Sequence, residues 1–185
     1  MIKAFFKYYF KRRGWKIQGG IPPEIKKCVI IGAPHTSNWD FFYGVGALGW
    51  FNIDVKYLAK KELFVFPFKK MFTSLGGIAV DRTKSGSLVD DIISMFNKTE
   101  NLIVLIPAEG TRKKVRKWKT GFYRIAVGAN VPIMMGYLDY KTKTTNLGPA
   151  FYPTGNIEAD FEYIRNFYKD VNAKIPENFS LPYLD

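Results

Sequence analysis

The side chain in this chain best suited to moving a proton at neutral pH is His35, its only histidine. It stands in Pro34-His35-Thr36-Ser37-Asn38-Trp39-Asp40, five residues before an aspartate. Imidazole titrates near neutrality, and a carboxylate on its second ring nitrogen fixes the tautomer and stabilises the imidazolium that forms. Asp40 can act as that carboxylate if it falls in the first turn of a helix and reaches back to His35. No serine or cysteine motif stands beside the pair. The combination reads as a general base that activates a substrate hydroxyl without a covalent enzyme intermediate. The alternative is a surface histidine, with Asp40 serving only the helix N-terminus.

Two further loops carry chemistry. Gly76-Gly77-Ile78-Ala79-Val80-Asp81-Arg82 combines glycines that permit close backbone approach, a short apolar strand, and an arginine at its end. The planar guanidinium offers a fork of donors suited to phosphate; a plain surface Asp81–Arg82 pair is the other reading. Glu109-Gly110-Thr111-Arg112 follows the apolar run Leu102-Ile103-Val104-Leu105-Ile106. A turn requires neither a carboxylate nor a guanidinium. Arg112 can bind phosphate, while Glu109 can bind an acceptor hydroxyl or hold the arginines in place. Lys113, Lys114, Arg116, Lys117, Lys119 and Arg124 follow, with no acidic residue between Glu109 and Asp139. Such a run is either a solvated face or a surface for head groups or the phosphates of an acyl carrier. Val131-Pro132-Ile133-Met134-Met135 reads as a core strand. Cys28, the single cysteine, lies in the apolar run Cys28-Val29-Ile30-Ile31 and reads as an inert core residue.

These loops need a scaffold that presents them together. The pattern predicts strands at 27–32, 54–59, 78–80, 102–106, 132–138 and 148–152. Helices are predicted at 39–50, 86–97, 121–129 and 157–171, with an irregular helical stretch at 62–74 interrupted by Pro67. The alternation implies a single α/β domain with a mostly parallel central sheet flanked by helices. Open sheets of this kind place ligands at strand ends, where the polar loops fall. The 185 residues suffice for one sizeable core.

The net charge of +12 points to an anionic partner. Nucleic acid is disfavoured, because the aromatic residues are scattered among apolar runs where core or membrane roles explain them. Ile2, Phe5, Phe6, Tyr9 and Phe10 recur at the spacing of one helical face, with Lys3, Lys7 and Lys11 on others. Residues 1–16 therefore read as a short amphipathic membrane-associating helix ahead of a domain at 17–185. The alternative packs that helix on its own domain. No secretory signal and no run long enough to span a bilayer is present, so the expected location is the cytoplasmic face of the cell membrane, peripheral or monotopic.

Taken together, the segments His35 to Asp40, Gly76 to Arg82, Glu109 to Arg112 and Val131 to Ile133 resemble the glycerolipid acyltransferase family typified by 1-acyl-glycerol-3-phosphate acyltransferase. The ordered set is specific where each tetrad alone is weak, and it covers roughly residues 28–140. The resemblance implies transfer of a fatty acyl group from acyl-CoA or acyl-carrier protein to a lysophospholipid hydroxyl. It makes His35 the general base and Asp40 its orienting partner. Arg82, Glu109, Gly110, Thr111 and Arg112 would form the phosphate pocket, and Val131 to Ile133 would lie near the acyl chain. No metal or cofactor is implied, because the thioester already activates the acyl carbon. The alternatives are another lysolipid acceptor, such as an amino-acid-derived one, or a non-catalytic basic lipid- or nucleic-acid-binding protein.

Overall fold

A computed structural model of the chain describes residues 2–80 and 85–183. Its seven strands form one sheet: β1 (Lys16–Gly19), β2 (Lys27–Gly32), β3 (Lys56–Lys60), β4 (Gly77–Val80), β5 (Leu102–Pro107), β6 (Ile133–Asp139) and β7 (Thr144–Phe151). Their order is β1-β7-β6-β2-β5-β3-β4. Among the described residues only the β6–β7 pairing is antiparallel. β2 is the middle strand, as its unbroken apolar run requires: a strand covered on both faces has no place for an alternating polar residue. Val29 and Ile31 point to one layer, Cys28 and Ile30 to the other, and all four are buried.

Six α-helices among the described residues complete the layers: α1 (Ile2–Arg12), α2 (Trp39–Trp50), α3 (Lys69–Ser74), α4 (Ser85–Lys98), α5 (Gly121–Ala129) and α6 (Ile157–Tyr168). Val29, Ile31, Val104, Ile133 and Met135 pack under α4, α5 and α6, where Phe96, Phe122, Phe161 and Ile164 fill the interface. Cys28, Ile30, Met134 and Leu147 face Leu48 and Phe51 of α2 and its C-terminal end. The predicted sheet and helices therefore stand, with shifted ends. β7 begins at Thr144, and α6 stops at Tyr168. The stretch around Pro67 divides into a 3₁₀ turn over Lys61–Leu63 and then α3. β1 was not anticipated: three of its four residues are exposed, so no apolar pattern marks it.

The N-terminal helix lies on α2. Gly46 makes this possible, because a Cβ there would stand 2.7 Å from Phe10 Cβ and 2.9 Å from the Phe6 carbonyl oxygen. Phe6 and Phe10 are buried in that contact, contributing about 2 kcal/mol each at ordinary apolar transfer values. Phe5 and Tyr8, 64% and 67% exposed, point away from it. The aromatic face read from the sequence is thus divided between the domain and solvent. No helix among the described residues is long and apolar enough to cross a membrane.

Candidate active site

Sheet register brings the His35 and Glu109 loops to one edge. β2 pairs in parallel with β5 and with β6, Gly32 lying opposite Pro107 on one side and Gly136 on the other. β2 and β5 therefore end level, β6 runs on to Asp139, and the residues just beyond the three strands (His35, Glu109 and Tyr140) leave the sheet at the same rim. This is the carboxyl edge where parallel sheets hold their ligands.

His35 Nδ1 stands 3.5 Å from Asp40 Oδ2. The imidazole is 21% exposed and the carboxylate 5%, so the pair has a buried side and an open one. With Nδ1 on the carboxylate, Nε2 is the nitrogen a substrate hydroxyl can meet. Asp40 falls in the first turn of α2, where the helix dipole favours negative charge. Its Oδ2 accepts the Thr36 and Ser37 backbone N–H groups at 2.7 and 2.8 Å. Its Oδ1 accepts the Tyr140 hydroxyl at 2.7 Å. Three donors thus offset the cost of burying the charge and hold the carboxylate in one orientation. Asp40 serves the loop before the helix and the histidine at once, joining the two readings of the spacing.

Glu109 is 2% exposed. The sequence reading grouped it with the phosphate-binding residues; in the fold both its carboxylate oxygens face the His35 backbone N–H, at 3.1 and 3.0 Å. Burial pushes its carboxyl up to about 8, opposed by the His35 hydrogen bond and assisted by the nearby Asp40 charge. Gly110 adopts φ +69°, and a Cβ there would come within 3.2 Å of Lys119 Cγ, so the turn after Glu109 favours glycine. Thr111 Oγ1 accepts the Lys113 N–H at 3.3 Å. Arg112 stands exposed on the same loop with Lys113, Lys114, Arg116, Lys117 and Lys119. Trp118 anchors that loop, its buried indole donating to the Ser180 carbonyl at 2.9 Å. Arg82 lies outside the described residues. Val131, Pro132 and Ile133 are buried, Val131 and Ile133 in the core beneath α4 to α6.

The structure therefore gathers His35, Asp40 and Glu109, with Gly110, Thr111 and Arg112 on the adjoining rim. It adds Tyr140 and Thr36, which sequence reasoning missed. Thr36 Oγ1 accepts the Ile175 N–H at 3.2 Å, tying the C-terminal segment to the histidine loop. No local spacing signals a partner a hundred or more residues away.

The chemistry available is proton abstraction by a fixed imidazole. Cys28 is no nucleophile: it is fully buried, and burial pushes its thiol up to about 12. Ser37 Oγ is turned to the helix start, accepting the Trp39 N–H at 3.2 Å. Among the described residues no cluster of three or more His, Cys, Asp or Glu could hold a metal ion.

Comparison with known proteins bears on the family and the fold. The acyltransferase family model matches residues 16–135. The fold resembles the crystal structure of the 1-acyl-sn-glycerophosphate acyltransferase PlsC from Thermotoga maritima. That likeness has a TM-score of 0.64 at 19% identity, over 91% of this chain and 75% of that one. No curated protein sequence matches. With the family model covering most of the chain and the loops converging on one rim, the chain belongs to the acyltransferase family and is an enzyme of that type.

Proposed function

We propose that this enzyme moves a fatty acyl group from an acyl thioester, acyl-CoA or acyl-carrier protein, to the hydroxyl of a lysophospholipid such as 1-acyl-glycerol-3-phosphate. The observation that carries the reading is the single histidine with Nδ1 on a carboxylate held by three donors. His35 Nε2 takes the hydroxyl proton as the acceptor oxygen attacks the thioester carbonyl. The C–O ester bond forms, the C–S bond breaks, and the departing thiolate takes the proton from the imidazolium. Asp40 stabilises the imidazolium while it lasts. Gly110, Thr111, Arg112 and Arg82 hold the acceptor's phosphate, and Glu109 holds the base's backbone. The thioester supplies the activation, so no metal or prosthetic group enters a step.

The test is a transfer assay with labelled acyl-CoA and acyl-carrier protein as donors and 1-acyl-glycerol-3-phosphate in mixed micelles. Labelled diacyl product is expected; none from either donor overturns the reading.

The same reading places the enzyme on the anionic cytoplasmic face of the cell membrane. Phe5, Tyr8, Trp39 and Phe42 are exposed, with Phe42 within 5.7 Å of both Trp39 and Phe6. Lys7 and Lys11 of the same N-terminal helix lie over the Trp50 ring, at 4.7 and 5.6 Å. Exposed aromatic rings and lysines on one short helix suit an interface of anionic head groups. Replacing Phe5 and Tyr8 together by glutamate is expected to weaken co-sedimentation with anionic vesicles by about ten-fold or more. Unchanged partition would sink the placement.

A further inference from the structure

We propose that Tyr140 is a positioning residue of the His35–Asp40 pair, its hydroxyl fixing the carboxylate oxygen that the loop amides leave open. The inference rests on the base assignment above and extends it to a part of the chain beyond residues 16–135, which the family model matches.

The register of β6 on β2 places Tyr140 four residues past Gly136, beside a histidine three residues past Gly32. Its hydroxyl donates to Asp40 Oδ1 at 2.7 Å. The ring is held from several sides. The Tyr140 backbone N–H donates to the Asn172 carbonyl at 2.9 Å. Trp15 meets the ring edge-on at 5.2 Å, and Tyr43 does so at 5.9 Å. Lys174 Nζ lies 5.3 Å over its face. Asn172 in turn caps Asp139 through its N–H at 3.1 Å and its side-chain amide at 2.8 Å. The segment after α6 is thus a buttress for the ring, and the ring one for the carboxylate.

Two consequences follow for the base. With Oδ2 on two backbone amides and Oδ1 on the phenol, the carboxylate cannot rotate about its Cβ–Cγ bond without losing a donor. The phenol also draws part of the negative charge away from the oxygen that faces the imidazole. Burial and the neighbouring Asp40 charge push the phenol far above its ordinary range, which keeps it protonated and a donor. The titratable and charged groups around the two side chains are His35, Glu109, Tyr43 and Lys174, with Arg13 hydrogen-bonded to Tyr43. Tyr140→Phe leaves all of them in place and keeps the packed ring.

His35 being the only histidine, its Cε1 proton gives one imidazole titration curve by NMR that needs no assignment. In Tyr140→Phe the undiminished Asp40 charge is expected to move the midpoint upward by about half a pH unit or more. The acid limb of the pH–rate profile should move with it, and kcat should fall about ten-fold with KM for the acceptor unchanged. A role in stability alone moves neither curve. Superimposable titrations, or a loss confined to KM, would overturn the proposal. The titration is read without substrate, so the two readings fail separately. A shifted midpoint in a protein that transfers no acyl group supports Tyr140's position and overturns the acyl-transfer reading.

Discussion

Replacing His35 by alanine is expected to lower acyl transfer by roughly 10³-fold, with KM for both substrates little changed and the fold intact. The magnitude is that of losing a positioned general base, about 10²–10⁴-fold. The fold should survive, because the imidazole is partly exposed and its loop is held by backbone contacts to Asp40 and Glu109. The removed interaction is made in the transition state, so the loss belongs in kcat. Asp40→Asn is a less clean probe, since Asp40 also accepts the Thr36 and Ser37 N–H groups; an amide NH2 turned toward them would disturb the loop. A steady-state assay over pH 5–9 decides the matter. A His35→Ala protein within ten-fold of wild type at every pH would remove His35 from the mechanism.

Why the pair was legible and its supports were not follows from the range of the interactions. Asp40 sits on the same short stretch as His35, so a predicted strand, loop and helix start place it within reach. β2 and β5 announce themselves as unbroken apolar runs, and the loops after them must then share a rim. The direction of Glu109's side chain carries no such mark: a carboxylate after a central strand looks the same whether it faces a ligand or a backbone amide. Tyr140 lies two residues past the predicted strand and carries no mark of its own until register sets it against a residue one hundred positions away. The division of α1's aromatic face depends on Gly46 in another helix, which no periodicity within residues 2–12 can show. β1 is polar because it is a mostly exposed strand at one side of the sheet, and only pairing with β7 defines it.

The second large effect is expected at Glu109. In Glu109→Ala the partly buried His35 N–H loses its acceptor, a cost of about 1 kcal/mol or more before any cavity. The loop that aims the imidazole is then free to move, and a displacement of about 1 Å is enough for a hundred-fold loss in rate. Glu109→Gln keeps one acceptor oxygen and the side-chain volume, and isolates the charge. The carboxyl's ordinary value is 4.5, and in the fold it lies at about 8 because burial, and secondarily the Asp40 charge, oppose its ionisation. Below the lower value both folded and unfolded chains hold the proton, so the group contributes no pH dependence. Between the two values the unfolded chain ionises while the folded one stays protonated, and stability falls as pH rises, by at most about 1.4 kcal/mol per pH unit. Above the higher value the penalty is constant. Glutamine carries no such proton. Relative to wild type, Glu109→Gln is therefore expected to gain stability steadily from pH 5 to pH 8. Urea unfolding of both proteins at those two pH values measures the difference, in which the other titrating groups cancel. Parallel pH dependence in the two would mean that Glu109 is ionised throughout, held as an anion by the His35 amide despite its burial.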